Sequence, residues 1–143
     1  MTALDREDRD PAGTGASVAD HMSRRILAVR DDCSLGTAMD TVLASGHRHV
    51  VVVDPWGSFQ GVLPAEAITT AWMTRLAHRS QVVRELITSP PVHVSPDESM
   101  HTAASVMLSY SVDAVGVLEA DGRLVGILTW SDIVGMVAER GTA

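Results

Sequence analysis

The sequence has a single cysteine, Cys33, and aromatic residues make up only 3% of it. One cysteine cannot form a disulfide within the chain or supply a cysteine-rich zinc site, so apolar packing must hold the fold together. Basic residues are also scarce, with 11 Lys and Arg against 18 Asp and Glu and a net charge of −7. Non-specific nucleic-acid binding depends on clustered basic side chains, so we expect no nucleic-acid partner.

Long apolar runs are missing as well. The run Val50–Val53 is far shorter than the roughly 20 residues that cross a membrane as a helix, and it is typical of a buried strand. The N-terminus shows no signal-peptide pattern. We therefore expect a cytoplasmic protein without a membrane partner, in which Cys33 is a small apolar residue at a helix start.

Familiar catalytic patterns do not occur in the sequence. It contains neither a Gly-x-Ser-x-Gly nucleophile elbow nor a glycine-rich phosphate loop. His47 and His49 are close in sequence, but an extended segment gives them no third metal ligand. We expect a protein that is not an enzyme, holds no metal and requires no cofactor.

An internal repeat organises most of the sequence. The second copy follows the first at an offset of 65 residues without a gap, so that Val29 aligns with Val94. Chance similarity does not keep such a register through two turns and a pair of strands. The identical pairs are Val18/Val83, Asp32/Asp97, Ser34/Ser99, Thr37/Thr102, Ala38/Ala103, Leu43/Leu108, Val50/Val115, Val52/Val117, Gly57/Gly122, Gly61/Gly126, Leu63/Leu128 and Ile68/Ile133.

Each copy predicts the same order of elements: a short helical segment, a short strand, an amphipathic helix, a hairpin and a closing helix. Gly57 and Gly122 are expected to supply the positive φ that the hairpin turns need. Ser95 is expected to cap the second amphipathic helix, with Ser99 as the alternative, and the pair Asp31-Asp32 to cap the first. The expected segments are Val18–Met22 and Val83–Ile87, then Ile26–Val29 and Val92–Val94, and for the hairpins His49–Val53 with Phe59–Leu63 and Ala114–Glu119 with Leu124–Leu128.

The repeat sets the expected boundaries along the chain. Residues 1–17 show no periodicity and are predicted to form a flexible tail. Repeat 1 is placed at 18–76 and repeat 2 at 82–139, with a polar linker at 77–81 and a short tail at 140–143. Each repeat is too small to bury much core alone, so the two are expected to pack together.

The two copies differ most where the last strand runs into the closing helix. The second copy reads Gly-Ile-Leu-Thr-Trp-Ser-Asp at 126–132, where the first reads Gly-Val-Leu-Pro-Ala-Glu-Ala at 61–67. A helix start leaves backbone N–H groups unpaired, and clustered polar residues there favour a ligand, so the asymmetry predicts one functional site. The same residues fit a capping box, in which Thr129 caps the helix and Asp132 reaches back to its N–H. Both interpretations stay open.

This tandem β-α-β-β-α repeat, ending in Gly-hydrophobic-hydrophobic-Thr-x-Ser-Asp, resembles the pair of cystathionine-β-synthase (CBS) domains called a Bateman module, over roughly Val18–Glu139. The resemblance implies a mixed α/β (α+β) fold, with two β-α-β-β-α repeats packed about a pseudo-twofold axis and clefts between them. Family members often bind adenosine-containing ligands in those clefts and commonly form dimers. AMP, ADP, ATP or S-adenosylmethionine is therefore the expected class of ligand.

The resemblance also assigns residues to the ligand. The Asp of the motif bonds the ribose hydroxyls in the family, and the Thr and Ser contact ribose or phosphate. Arg48 fits a phosphate contact and a solvated turn equally well, whereas His49 fits the turn better. Asp113 stands where the family often carries a basic phosphate contact, and its carboxylate is expected to repel phosphates. By position, the expected ligand residues are Thr129, Ser131 and Asp132 on the sugar side, with Met22, Leu27, His47 and Arg48 facing them from the first copy.

Two functions fit these observations. The first is a regulatory module that binds an adenosine-containing ligand in one inter-repeat cleft and signals to an unknown protein partner in trans, since the chain has little room for an effector domain. The second is a ligand-free dimerisation or interaction module with vestigial clefts. A homodimer is expected, built from the closing helices, where Ile68, Trp72, Ile133 and Val137 offer apolar surface.

Overall fold

A computed structural model describes residues 16–74, 81–88 and 90–142. Most of the predicted tail at 1–17 and of the predicted linker at 77–81 lies outside the described residues. The chain divides into two compact units. Of the described residues, unit 1 contains 16–25 and 92–142, and unit 2 contains those between 26 and 91.

The described elements follow the predicted order in both copies. The closing helix of the second copy continues past Glu139, where we expected it to end. In chain order the elements are α1 (Val18–His21), β1 (Ala28–Arg30), α2 (Leu35–Ser45), β2 (His49–Val53), β3 (Phe59–Pro64), α3 (Ala65–Thr74), a 3-10 helix (Val83–Leu86), β4 (His93–Val94), α4 (Met100–Tyr110), β5 (Ala114–Leu118), β6 (Leu124–Thr129) and α5 (Trp130–Thr142).

The two units carry sheets of the same topology. In unit 2, β1 pairs parallel with β2 and β2 pairs antiparallel with β3; in unit 1, β4, β5 and β6 repeat this arrangement. A parallel pair needs a long crossover, which α2 and α4 supply, whereas an antiparallel pair needs only a tight turn. Gly57 and Gly122 each have φ of 89° in those turns, as predicted. The fold is mixed α/β, as the repeat implied.

Each unit has its own apolar core. The strand β2 is buried along Val50–Val52, as its uninterrupted valine run predicted. Ile68 and Ile133 are buried in the cores of units 2 and 1, so the expectation that they offer dimer surface is wrong. A helix turns its core-facing residues away from solvent, and the exposed large apolar residues of α5 are Trp130, Val134 and the predicted Val137.

Each unit is completed by the segment that begins the other repeat. In unit 1 the N–H of Val18 donates to the carbonyl of Glu98 at 2.8 Å, and in unit 2 the N–H of Val83 donates to the carbonyl of Cys33 at 2.9 Å. Val18 and Val83 have no exposed surface. The residues placed at the start of repeat 1 therefore pack with the elements of repeat 2, and the reverse holds for the 3-10 helix.

Serine caps both amphipathic helices. Ser34 accepts from the N–H of Thr37 at 3.1 Å, and Ser99 accepts from the N–H of Thr102 at 3.0 Å. Ser99 is thus the cap, and the prediction of Ser95 is wrong. The Ser95 hydroxyl instead donates to Asp97 within the turn before the helix, and this bond lowers the pKa of the Asp97 carboxyl.

The acidic pair before α2 does not cap that helix, so this prediction is also wrong. Asp31 is buried and accepts from the Arg84 guanidinium at 3.3 Å, which ties the 3-10 helix to β1. Asp32 pairs with Arg30 at 2.8 Å. The hydrogen bond from Arg30 lowers the pKa of the Asp32 carboxyl. Both carboxylates pair with arginines that lie outside α2, and Ser34 caps that helix.

A glycine allows α1 and the chain after it to lie close against β6. Ser23 and Ile127 exchange two backbone hydrogen bonds of 2.9 Å, which adds this segment to the edge of the strand. A Cβ built on Gly126 would lie 2.6 Å from Met22 Sδ and 3.0 Å from the Ser23 carbonyl oxygen. A side chain at Gly126 must therefore displace the Met22 side chain and crowd the Ser23 carbonyl.

Gly126→Ala is expected to destabilise the protein by about 1–3 kcal/mol, the range for overpacking a core. Gly135→Ala is the matched control: a Cβ at Gly135 meets nothing within 4 Å, and alanine inside a helix is favoured by about 0.5–1 kcal/mol. Denaturant unfolding measures both. Equal effects of the two substitutions would contradict the close packing of Met22 and Ser23 on β6.

The candidate functional site at the start of helix α5

The strand-to-helix junctions of the two units share one backbone arrangement. The N–H of Trp130, the first residue of α5, donates to the carbonyl of Asp113 at 2.8 Å. The N–H of Ala65, the first residue of α3, donates to the carbonyl of Arg48 at 2.7 Å. Each bond fixes the start of a closing helix to the residue just before the second strand of its sheet. The junctions therefore differ in side chains rather than in geometry.

Only the junction in unit 1 carries a polar cap. Asp132 Oδ2 accepts from the backbone N–H of Thr129 at 2.8 Å and from the Thr129 hydroxyl at 3.2 Å. Asp132 thus makes its half of the predicted capping box, whereas the Thr129 hydroxyl donates to the carboxylate instead of accepting from the helix. At the junction in unit 2, Pro64 has no N–H and Ala67 has no side-chain acceptor.

The cap leaves hydrogen-bonding capacity unused. Within the described part of the chain, Oδ1 of Asp132 makes no hydrogen bond, and neither do the N–H groups of Ser131 and Asp132 in the first turn. A carboxylate offers about four acceptor positions, so Asp132 can cap the helix and still accept from two hydroxyls. The unpaired N–H groups and the positive end of the helix dipole would favour a ligand group with negative charge. Capping and ligand binding are therefore compatible at this residue.

Four of the predicted ligand residues lie in one unit. Thr129 ends β6, and Ser131 and Asp132 lie in the first turn of α5; Ser131 is exposed and the other two are partly exposed. Met22 belongs to the same unit, where its side chain packs on Gly126. Although Met22 belongs to the first repeat, the exchange of starting segments brings it to the sheet that carries Thr129.

Leu27, His47 and Arg48 lie in unit 2. The carbonyl of Leu27 accepts from the N–H of Val51 at 2.8 Å, and its side chain packs against the core. Arg48 is exposed and holds the start of α3 through its carbonyl. His47 follows the left-handed Gly46, and its Nδ1 is buried without a hydrogen-bond partner in the described part of the chain.

The anchoring of Asp113 was not expected from the sequence. The sequence singled out Asp113 for its negative charge. The hydrogen bond from the Trp130 N–H to the Asp113 carbonyl depends instead on how β5 and α5 are placed. The signal was present in the repeat, because the offset of 65 residues aligns Asp113 with Arg48. Two aligned residues that precede aligned strands are expected to occupy the same place in each sheet.

The remaining side chains add little chemistry of other kinds. Among the described residues, no three His, Cys, Asp or Glu side chains are grouped so that they could hold a metal ion. No described helix is long and apolar enough to cross a membrane. Partial burial and then the charge of Asp32 raise the pKa of the Cys33 thiol, which favours the unreactive neutral form.

Comparison with known proteins identifies the repeat. The sequence matches the CBS domain family at residues 18–73 and again at 83–139. It is 28% identical over 127 residues to homoserine O-acetyltransferase of Methanohalophilus mahii, covering 88% of this chain and 25% of that protein. It is 28% identical over 152 residues to the magnesium transporter MgtE of Thermus thermophilus, covering 99% of this chain and 30% of the transporter. The chain spans about a quarter of the length of the first of these relatives.

Solved structures share the fold. The CBS domain pair of protein MJ0100, in complex with 5′-methylthioadenosine and S-adenosyl-L-methionine, has a TM-score of 0.73 at 24% identity, covering 87% of this chain and 98% of that one. CBSX2 in complex with AMP has a TM-score of 0.71 at 24% identity, covering 86% and 96%. The cytosolic domain of MgtE in complex with ATP has a TM-score of 0.71 at 21% identity, covering 92% and 53%.

Asp132→Ala is expected to destabilise the protein by about 1 kcal/mol, because it removes the acceptor for the N–H of Thr129 at the helix start. Asp132→Asn keeps an oxygen in place and should lose less. Denaturant unfolding of both variants without ligand checks the difference. If alanine and asparagine cost the same, the bond from Thr129 does not stabilise α5.

Proposed function

The chain belongs to the CBS domain family, and from that premise we propose that it is a regulatory module that binds an adenosine-containing ligand at the start of α5. The observation that carries the proposal is the difference between two junctions of the same backbone geometry. Thr129 and Asp132 place a carboxylate and a hydroxyl at one of them, and the other has lost both polar groups. Binding at the polar junction would pass ligand occupancy to a partner protein.

The ligand class is supported by other CBS domain pairs. Solved structures with this fold hold AMP, ATP, or 5′-methylthioadenosine and S-adenosylmethionine. We extend that class, with ADP, to this chain as a proposal. The enzyme and transporter relatives are matched over only a quarter to a third of their lengths, so we assign this chain a regulatory rather than a catalytic role.

The chemistry proposed for Asp132 is the recognition of two neighbouring hydroxyls. Its Oδ2 is engaged by Thr129, which holds the carboxylate in one orientation, and Oδ1 remains available. A ribose presents its 2′ and 3′ hydroxyls as two donors at a spacing that one carboxylate can accept. Met22, Leu27, His47 and Arg48 stay predicted ligand residues.

Asp132→Asn is expected to weaken the binding of the adenosine ligand by about 1.5–3 kcal/mol, the range for hydrogen bonds to charged groups. Asparagine keeps an oxygen for the Thr129 N–H but loses the charge and one acceptor. Calorimetry with AMP, ADP, ATP, adenosine and S-adenosylmethionine, at protein concentrations that reveal dissociation constants up to about 1 mM, measures the effect.

Glu66→Gln is the matched control, because it removes one carboxylate from the first turn of α3, at the junction that lacks the cap. We expect it to leave binding nearly unchanged. Equal weakening by Glu66→Gln and Asp132→Asn would show that the one-site assignment is wrong. If the wild-type protein binds none of the five ligands, the bond from Thr129 to Asp132 serves only as a cap, and the chain is an interaction module instead.

We further propose that the module forms a homodimer through an exposed stripe on α5. Trp130, Val134 and Val137 lie on one face of the helix, at the spacing of i, i+4 and i+7, and are 37%, 54% and 57% exposed. Apolar side chains clustered on one helix face favour burial against another surface. A second copy of the chain offers the same stripe, as a twofold dimer requires.

The double substitution Val134→Glu with Val137→Glu is expected to convert the dimer to a monomer, because four carboxylates would meet across the twofold axis. Trp56→Glu is the control, since Trp56 is 86% exposed in the hairpin turn of unit 2 and far from any helix in sequence. Sedimentation velocity at tens of micromolar, a typical working range, gives the oligomeric state. A monomeric wild-type protein, or a dimer that survives both glutamates, would overturn the proposal.

A further inference from the structure

We propose that Thr129 is a positioning residue for the ribose: its hydroxyl orients the Asp132 carboxylate and does not itself contact the ligand. This rests on the proposed function, which places the two ribose hydroxyls at Asp132. It replaces the direct contact that the family resemblance implied for the Thr129 hydroxyl, and it assigns the ribose hydroxyls to Oδ1 of Asp132.

The backbone of Thr129 is fixed on both sides. Thr129 is the last residue of β6 and pairs with Ala114 of β5. The next N–H, that of Trp130, donates to the carbonyl of Asp113 at 2.8 Å. Because threonine is branched at Cβ, its side chain has few favourable rotamers on such a backbone. The sheet therefore determines where the Thr129 hydroxyl lies.

The Asp132 side chain is held less firmly by its own backbone. It extends from the first turn of α5 and can rotate about two side-chain bonds. Its Oδ2 accepts from the N–H of Thr129 at 2.8 Å and from the Thr129 hydroxyl at 3.2 Å. Two donors of one fixed residue thus meet at one carboxylate oxygen. Thr129 therefore selects the rotamer of Asp132, and not the reverse.

The number of acceptor positions assigns the ribose to the other carboxylate oxygen. Each oxygen of a carboxylate has about two such positions, and Thr129 fills both of them at Oδ2. Among the described residues, Oδ1 of Asp132 has no hydrogen-bond partner. Its positions can accept from the 2′ and 3′ hydroxyls of a ribose, which both act as donors.

The bond to Asp132 uses the only proton of the Thr129 hydroxyl. An ionised carboxylate can only accept, so the hydroxyl must be the donor. It is then unable to donate to a second group. A phosphate at neutral pH presents acceptor oxygens, and it therefore gains no hydrogen bond from this hydroxyl. In the described part of the chain, the unpaired N–H groups of Ser131 and Asp132 remain as donors for it.

Two substitutions separate the hydroxyl of Thr129 from the shape of its side chain. Thr129→Val removes the hydroxyl and keeps the branch at Cβ, whereas Thr129→Ser keeps the hydroxyl. Thr69→Val is the matched control in the closing helix of unit 2, where the Thr69 hydroxyl donates to the carbonyl of Glu66 at 3.1 Å. The repeat aligns Thr69 with Val134, so the fold already accepts valine at that position of a closing helix.

Calorimetry on the full chain compares adenosine, AMP and 2′,3′-dideoxyadenosine, which lacks both ribose hydroxyls. Thr129→Val should weaken the binding of adenosine and AMP equally, by about threefold to tenfold, the factor for one hydrogen bond. It should leave the binding of 2′,3′-dideoxyadenosine unchanged, because that compound has no hydroxyls for Asp132 to accept from. Thr129→Ser should bind adenosine nearly as tightly as the wild-type protein does, and Thr69→Val should alter none of the three affinities.

Unfolding without ligand tests the bond between the hydroxyl and the carboxylate independently of the proposed function. Thr129→Val and Asp132→Ala, alone and combined, form a double-mutant cycle. We expect valine to destabilise the protein less when Asp132 is already alanine, since the hydroxyl then has no carboxylate to meet. Effects that simply add would show that the two groups do not interact, which overturns the inference.

Three binding results would also overturn it while leaving the proposed function in place. A loss for AMP alone shows that the hydroxyl contacts the phosphate. An equal loss for 2′,3′-dideoxyadenosine shows a general distortion of the site. Unchanged adenosine binding shows that the carboxylate needs no positioning. If 2′,3′-dideoxyadenosine binds too weakly to measure, equal losses of adenosine binding in Thr129→Ser and Thr129→Val overturn the inference instead. If the wild-type protein binds none of the three ligands, the proposed function fails as well.

Discussion

The exchange of starting segments is the constraint on which both units depend. Val18 and Val83 each fill a core built by the other repeat, and backbone bonds to Glu98 and Cys33 fix them there. Without these segments, each core would expose an apolar face and lose partners for buried carbonyl groups, which is costly. Because the chain passes directly from Arg25 to Ile26, residues that complete unit 1 are joined covalently to the first residue of unit 2. The two repeats are therefore interdependent in a way that their sequence boundaries conceal.

A second constraint is the backbone frame that the two strand-to-helix junctions share. The bonds from Trp130 to Asp113 and from Ala65 to Arg48 involve only main-chain atoms, so they do not restrict the side chains around them. The two copies share this frame, and their side chains differ upon it. Pro64 has no N–H at one junction, whereas the N–H of Thr129 at the other donates to Asp132. The fold thus depends on the main-chain bonds of the junction, whereas a ligand would depend on its side chains.

Much of the fold could be predicted because the repeat constrains each element twice. The turns at Gly57 and Gly122 and the buried run of β2 follow from local chemistry that recurs at the same offset. The cap at Ser99 was harder to predict, because Ser95 followed by proline and glutamate is an equally good local signal. Only the turn that engages Ser95 with Asp97 decides between them. A local sequence pattern cannot choose between two such caps when contacts formed only in the folded chain decide which serine is used.

Other features could not be predicted from the sequence, for a different reason. Whether Val18 packs with its own repeat or the other is a question of topology, and an apolar residue carries no information about which core it fills. The acidic pair Asp31-Asp32 looked like helix caps until Arg84 and Arg30 were seen to meet it. At the candidate site, the polar residues could be identified from the asymmetry of the motifs. The bond from the Thr129 N–H to Asp132 fitted the capping-box pattern, but the donation from the Thr129 hydroxyl to the same carboxylate did not follow from it.

The bonds from Thr129 to Asp132 bear on how the proposed site would respond to a ligand. A carboxylate already held by the Thr129 N–H and hydroxyl loses little further freedom when a diol arrives, so the ordering cost is met during folding rather than on binding. Under the proposed function, a site held this way gains affinity because its carboxylate is ordered in advance, and the same bond links ligand binding to the stability of α5.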